Sequence, residues 1–146
     1  MLEANIDDQN PELYQDVLDA LFAAGALDAL LQPVQMKKQR PGILLKVICR
    51  PEQAEALAAL VLEQSSSLGV RLYYAARRML DRQSVTISVG EGSVRVKLGY
   101  HQGQLQNVAP EYEDCRRIAK CTGVPVKLIY QQAIAAFWQD NQSKGD

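Results

Sequence analysis

Apolar and polar positions change period several times along the chain, and each change marks an element. Residues 2–6 alternate as a short strand and end in the polar group Asn5, Asp7 and Asp8. Asn10-Pro11 then reads as N-cap and first helical residue, because proline has no N–H to leave unpaired there. Leu13, Val17 and Leu21, beside Tyr14, Leu18 and Phe22, form a stripe at helical spacing that Gly25 stops in a left-handed cap. Residues 27–36 read as a strand whose Pro33 marks an edge or a bulge. After the loop from Lys37 to Gly42, Ile43, Leu45, Val47 and Cys49 alternate with Leu44, Lys46, Ile48 and Arg50, a strand with one strongly buried face. Pro51 opens a second helix with Ala54, Leu57, Ala58 and Val61 inward; it fades at Ser65-Ser66-Ser67, and a strand is expected from Val70 to about Met79.

This order, β-α-β-β-α-β, predicts a ferredoxin-like α+β unit with both helices on one face of a four-stranded sheet. Val85, Ile87 and Val89 then approach Gly90-Glu91-Gly92-Ser93, and Val94, Val96 and Leu98 leave it, which predicts a hairpin. Gln102 to Ala109 reads as a polar link. Pro110 starts a third helix with acids in its first turn, Thr122-Gly123-Val124-Pro125 ends it, and a last helix carries Ile129, Ala133 and Phe137. The expected organisation is a ferredoxin-like unit over 1–82, a hairpin and helical extension packed on it over 83–140, and a disordered tail over 141–146.

Composition narrows the class. With 146 residues, 47% hydrophobic and 23% charged, the chain can bury a core without metal or disulfides. No apolar run approaches the ~20 residues of a membrane span, and Met1-Leu2-Glu3 does not begin a signal peptide. Three cysteines at uneven spacings make a reducing cytoplasm the simpler setting, and all three read as small buried hydrophobes. The net charge of −1 hides an asymmetry. Seven acids and no base precede Lys37, then five bases and no acid run from Lys37 to Arg50, with Arg71, Arg77, Arg78 and Arg82 following. Such blocks fit a polyanion held by the bases beside acids that hold a divalent cation, or two solvated faces that neutralise each other by packing or assembly. A basic loop without interleaved aromatics in a chain of pI about 5.8 disfavours nucleic acid.

Few residues offer chemistry. His101 is the sole histidine, which removes zinc-protease and histidine-cluster sites. Gly90-Glu91-Gly92-Ser93 lacks the lysine and length of a phosphate loop. Asn5, Asp7 and Asp8 are hard oxygen donors at the end of a first strand, suited to Mg²⁺ or Mn²⁺, and equally suited to capping the turn at Asn10-Pro11. Lys37, Lys38 and Arg40 sit in a loop stiffened by Pro41-Gly42 and could hold a triphosphate or simply form a basic loop tip. Ser65-Ser66-Ser67-Leu68-Gly69, with Arg71 behind it, could meet a phosphate or merely end a helix. Together these are the parts of a metal–nucleotide site, which folding or symmetry would have to assemble.

Specific strings go further. Glu3-Ala4-Asn5-Ile6-Asp7-Asp8, Gly25-Ala26-Leu27-Asp28, the run from Pro33 to Gly42, Ser67-Leu68-Gly69-Val70-Arg71 and Pro110-Glu111-Tyr112-Glu113-Asp114-Cys115 occur in the order expected of the LarC-type nickel insertion proteins, and the chain resembles their carboxy-terminal half from about residue 2 to 135. The resemblance implies a domain of a CTP-dependent cyclometallase, a lyase-class nickel chelatase. Its substrates are Ni²⁺ and a pyridinium bisthiocarboxylate mononucleotide, its product the nickel-pincer nucleotide of lactate racemase. The implied cofactors are CTP with Mn²⁺ or Mg²⁺. The matching positions are Asn5, Asp7 and Asp8 for metal, and Lys37, Lys38, Arg40, Ser66, Ser67, Arg71, Glu111, Tyr112 and Asp114 for nucleotide. Chemistry divides the roles: Asp7 and Asp8 for metal, the basic loop and Arg71 for triphosphate, and Glu111 or Asp114 for the cytosine amino group or a second metal. The family's amino-terminal half, with its metal-rich features, is absent, so the expected partners are that half and further copies in a trimer or hexamer, and the chain is not expected to insert nickel alone. The alternative is a non-catalytic module that oligomerises the missing half or senses a small anion.

Overall fold

The computed structural model describes residues 1–90 and 92–142 and divides into two compact units, Met1–Arg77 and Arg78–Asp146. The division falls at Arg77 rather than near residue 82.

The first unit consists of β1 (Leu2–Ile6), α1 (Tyr14–Ala23), β2 (Asp28–Gln35), β3 (Pro41–Ile48), α2 (Ala54–Gln64) and β4 (Arg71–Leu72). Its strands form one antiparallel sheet in the order β2-β3-β1-β4. Alternation sets the faces. Leu2, Ala4 and Ile6 of β1 and Leu45 and Val47 of β3 are buried in one core with Val17 and Leu21 of α1 and Leu57 and Val61 of α2. Glu3 and Asn5 are therefore carried on the opposite side of β1, and Asp7 follows in the bend at its end.

Local chemistry explains the ends. Asn10 Oδ1 accepts the Glu12 N–H at 3.2 Å, so Asn10-Pro11 opens a short 3₁₀ turn that leads into α1. Gly25, at φ +94°, lets the Ala26 N–H return to the Leu21 carbonyl at 3.0 Å, which closes the helix. At Gly42 a Cβ would lie 2.8 Å from the Ile6 carbonyl and 2.5 Å from Met36 Sδ, so glycine is what lets the basic loop enter β3 beside β1.

The expected strand from Val70 to Met79 shrinks to Arg71–Leu72, extended by the Tyr73 N–H on the Met1 carbonyl at 3.1 Å and the Met1 amino group on the Tyr73 carbonyl at 2.9 Å. The register pairs Leu72 with Leu2 and Arg71 with Glu3, and residues 73–80 are assigned to no strand.

The second unit contains β5 (Asp81–Val89), β6 (Gly92–His101), β7 (Gln104–Pro110), α3 (Tyr112–Thr122) and α4 (Val126–Gln142). β5 and β6 are the expected hairpin, pairing Val89 with Gly92 across a turn whose Glu91 lies outside the described residues. The segment read as a polar link is instead β7, and the sheet is a three-stranded β5-β6-β7 meander. Only one side of β7 is apolar, and its register against β6 shifts between Gly99 and Tyr100, which blurs the alternation in sequence. The core joins Ile87, Val89, Val94, Val96 and Leu98 to Cys115, Ile118, Ile129, Ala133 and Phe137. α4 runs through Asn141 to Gln142, where a disordered tail was expected to begin; residues 143–146 of that tail lie outside the described residues. Of the cysteines, Cys115 is buried, Cys49 partly so, and Cys121 is exposed, because its position on α3 turns away from the core.

Candidate metal and anion site

The end of β1 places Asp7 and Asp8 next to two segments far away in sequence. Arg40 Nη1 donates to Asp7 Oδ2 at 3.4 Å, across 33 positions. Ser66 Oγ donates to Asp8 Oδ1 at 2.5 Å, across 58 positions. The turn after β1, the basic loop before β3 and the loop after α2 therefore converge, as a metal–nucleotide site would require. The Arg40–Asp7 pair is open to water and long, so it contributes below about 1 kcal/mol and leaves both groups exchangeable.

The basic loop is held in an unusual shape. A 3₁₀ turn at Lys37–Gln39 carries Lys38 at φ +59°, ψ +27° and Gln39 at φ +59°, two consecutive left-handed residues that are not glycine. The Met36 N–H on the Arg40 carbonyl at 2.8 Å closes the loop. Lys37 and Lys38 are exposed and make no ion pair among the described residues.

The serine loop divides its hydroxyls between scaffold and site. Ser65 Oγ donates to the Val61 carbonyl at 2.6 Å, and Ser67 Oγ, buried, donates to the Gly69 carbonyl at 2.9 Å. Ser66 alone turns toward the acids, and its backbone N–H donates to Gln9 Oε1 at 3.0 Å. Gln9 was not singled out in the sequence; its position beside Asp7-Asp8 was the available signal. Its Nε2 is buried without a hydrogen-bond partner among the described residues, an arrangement that costs about 1–3 kcal/mol.

Arg71 is placed elsewhere. Strand register sets it opposite Glu3, whose carboxylate accepts from Arg71 Nη2 at 3.4 Å and from Tyr73 Oη at 2.8 Å, with Lys46 Nζ 3.8 Å away. Glu3 lies four residues before Asp7, about 13 Å along the strand. The Tyr73 hydroxyl, then Arg71 and Lys46, hold the Glu3 carboxyl below its usual range, and Glu3 in turn pushes the Tyr73 phenol up.

Glu111, Tyr112 and Asp114 belong to the second unit, at the start of α3. Glu111 Oε1 pairs with Lys97 Nζ at 2.7 Å. Tyr112 is exposed and lines an apolar groove with Val126, Tyr130 and Ile134. Asp114 is buried and accepts from the Arg95 backbone N–H at 3.1 Å, from Arg95 Nε at 2.8 Å and Nη2 at 3.2 Å, and from Arg117 Nη2 at 3.3 Å. Those bonds, the Arg95 side chain's first, hold its carboxyl far below the usual range and fasten α3 to β6.

The family model described as "Nickel insertion protein" matches residues 1–130. The chain belongs to the nickel insertion protein family. A protein of Acaryochloris marina named for nickel insertion is 46% identical over 145 residues, covering 99% of this chain and 35% of its own length. The pyridinium-3,5-bisthiocarboxylic acid mononucleotide nickel insertion protein of Desulfitobacterium hafniense is 41% identical over 131 residues, covering 90% of this chain and 33% of its own. The chain thus spans about a third of the length of these relatives. Among solved structures, the apo form of LarC2, the C-terminal domain of a cyclometallase in the synthesis of the NPN cofactor of lactate racemase, is 34% identical with a TM-score of 0.88, covering 93% of this chain and 94% of that one. The mixed α+β architecture with two antiparallel sheets is common to this family member and LarC2.

The donors around β1 suit a divalent cation. Asp7, Asp8, Ser66 and the half-buried Asn5 offer only oxygen toward a metal, the hard chemistry that Mg²⁺ and Mn²⁺ select. Among the described residues no three His, Cys, Asp or Glu side chains form a metal cage. One or two carboxylates completed by phosphate oxygens is the arrangement Mg²⁺ usually takes.

Proposed function

We propose that this chain is the CTP- and divalent-metal-binding part of a nickel insertion protein that builds the nickel-pincer nucleotide. The convergence of Asp7 with Arg40 and of Asp8 with Ser66 carries the reading, because it sets metal-type oxygens against anion-type donors in one place. Asp7 and Asp8, with Asn5 nearby, hold Mg²⁺ or Mn²⁺, which neutralises triphosphate charge when bound. Arg40, Lys37 and Lys38 receive the phosphates, with Ser66 as a neutral donor between the two sets. Arg71, committed to Glu3, and Asp114, committed to Arg95 and Arg117, are assigned to the scaffold. Nickel and the pyridinium mononucleotide are substrates of the longer protein, whose remaining length is the natural partner.

The order β2-β3-β1-β4 with two helical crossovers supports a ferredoxin-like reading of the first unit, and its edge strands β2 and β4 support self-association to a trimer or hexamer. Three free cysteines support a cytoplasmic setting. Calorimetric titration with CTP, with and without Mn²⁺ and with ATP as comparison, tests the function. Metal-dependent heat that favours CTP is expected, and no heat with any combination refutes the assignment to these residues.

A further inference from the structure

The sheet of the first unit ends on a closed rung. The Tyr73 N–H donates to the Met1 carbonyl and the Met1 amino group donates to the Tyr73 carbonyl, the two bonds of a hydrogen-bonded antiparallel pair. In this register the position before Met1 falls opposite Tyr74, because Leu2 faces Leu72 and Glu3 faces Arg71. On its other side the same position falls opposite Cys49, because Leu2 faces Val47 and Glu3 faces Lys46. A side chain there points to the side that Leu2 occupies, into the core. A cavity of about 390 Å³ lies at that place, and its lining includes Cys49, Ala54, Leu72 and Tyr74. Glu55, also in the lining, disfavours an acid there. Strand β4 stops beside it: Tyr74 is 89% exposed, and no hydrogen bond reaches the Ala75 N–H among the described residues.

We propose that this cavity is a strand slot, and that its occupant is the extended segment of the longer nickel insertion protein that runs into β1. This chain spans about a third of the length of its relatives, and LarC2, which it resembles over 93% of its residues, is the C-terminal domain of its cyclometallase. The segment adds rungs between Cys49 and Tyr74. Its first residue seats an apolar side chain over Ala54, Leu72 and Tyr74, and the next residue exchanges main-chain bonds with Ala75. Main-chain pairing holds the segment and the alternate side chain selects it, as in strand addition to an open sheet edge. A peptide N–H at Met1 makes the same bond to Tyr73 that the amino group makes. The slot lies at the opposite end of β1 from Asp7 and Asp8, about 20 Å away along the strand, so the docked segment leaves the metal and anion site open. This rests on the reading of the chain as part of a longer nickel insertion protein and not on the CTP–metal assignment.

Amide hydrogen exchange, read residue by residue in ¹⁵N correlation spectra, tests the slot on the full chain and on three forms extended before Met1. One form carries the residues that precede the matched region in the Desulfitobacterium hafniense relative, one carries Ser-Thr-Val and one carries Ser-Thr-Asp. Antiparallel pairing turns the Ala75 N–H toward the added strand and the Tyr74 N–H away from it. The relative's residues and Ser-Thr-Val should each slow exchange at Ala75 by about tenfold or more and leave Tyr74 as in the parent. Ser-Thr-Asp should slow Ala75 far less, because it offers the cavity a charge. Parent-like exchange at Ala75 in every extended form overturns the slot, and equal slowing by Ser-Thr-Val and Ser-Thr-Asp overturns its apolar seat. Slowing by Ser-Thr-Val but not by the relative's residues overturns the occupant and with it the link to the longer protein. None of these readouts uses nucleotide, so each outcome leaves the CTP–metal reading to its own titration.

Discussion

Removing the Asp114 carboxylate should unfasten the third helix from its sheet. The Arg95 backbone N–H donates to it, and the Arg95 carbonyl accepts the Glu111 N–H at 2.8 Å, so strand β6 and the first turn of α3 exchange bonds at a single residue. A net hydrogen bond to a charged group contributes about 1.5–3 kcal/mol. The guanidinium bonds add little to that, because the Arg95 and Arg117 side chains are each 61% exposed and water replaces the carboxylate readily. Asp114→Ala should therefore lose about 1.5–3 kcal/mol, and Asp114→Asn, which keeps one acceptor for the backbone, roughly half as much. Urea unfolding at pH 7 followed by circular dichroism measures both. The pH dependence has a definite sign. The folded carboxyl ionises below its unfolded value of about 3.9, so its contribution is complete above that pH and falls only as acidification continues toward the folded value. A parent and Asp114→Ala within about 0.5 kcal/mol of each other at pH 7, or a gap that does not shrink below about pH 4, would refute the staple.

Gly42→Ala should cost about 1–3 kcal/mol by forcing a Cβ against the Ile6 carbonyl, which the β1–β3 ladder holds in place; thermal denaturation reads it, and a neutral result would mean that the ladder yields. Glu3→Gln should let the Tyr73 phenol ionise at lower pH, because the carboxylate that accepts its hydroxyl has lost its charge; alkaline absorbance titration against a Tyr73→Phe reference tests this, and an unmoved curve counts against the contact. Arg40→Ala should leave stability within about 1 kcal/mol of the parent while weakening CTP binding, and equal CTP affinity would remove Arg40 from the phosphate site.

The sequence was most legible where one face of an element is strongly apolar. The stripe through Val17 and Leu21 and the alternation through Leu45 and Val47 each report a buried face directly. It was least legible where pairing depends on a neighbour. β4 joins the sheet only through Arg71 and Leu72 opposite Glu3 and Leu2, which the apolar run around it does not reveal, and β7 was hidden because its core side is short and its register slips at Gly99. At the site, residue types were readable and destinations were not. Asp7, Asp8, Arg40 and Ser66 announced their chemistry, yet nothing local distinguishes Ser66, which faces the acids, from Ser67, which satisfies Gly69. Strand register, a property of two segments at once, sent Arg71 to Glu3.

The left-handed pair Lys38-Gln39 sets stability against usefulness. A non-glycine residue held in that region costs about 1–2 kcal/mol, so glycine at either position would relieve the native chain while widening the range of shapes the loop can sample. A selection for heat resistance alone would drift toward glycine there and arrive at a sturdier protein whose lysines no longer wait in one place. Only a selection that also demanded ligand capture would keep side chains where the backbone would rather have none.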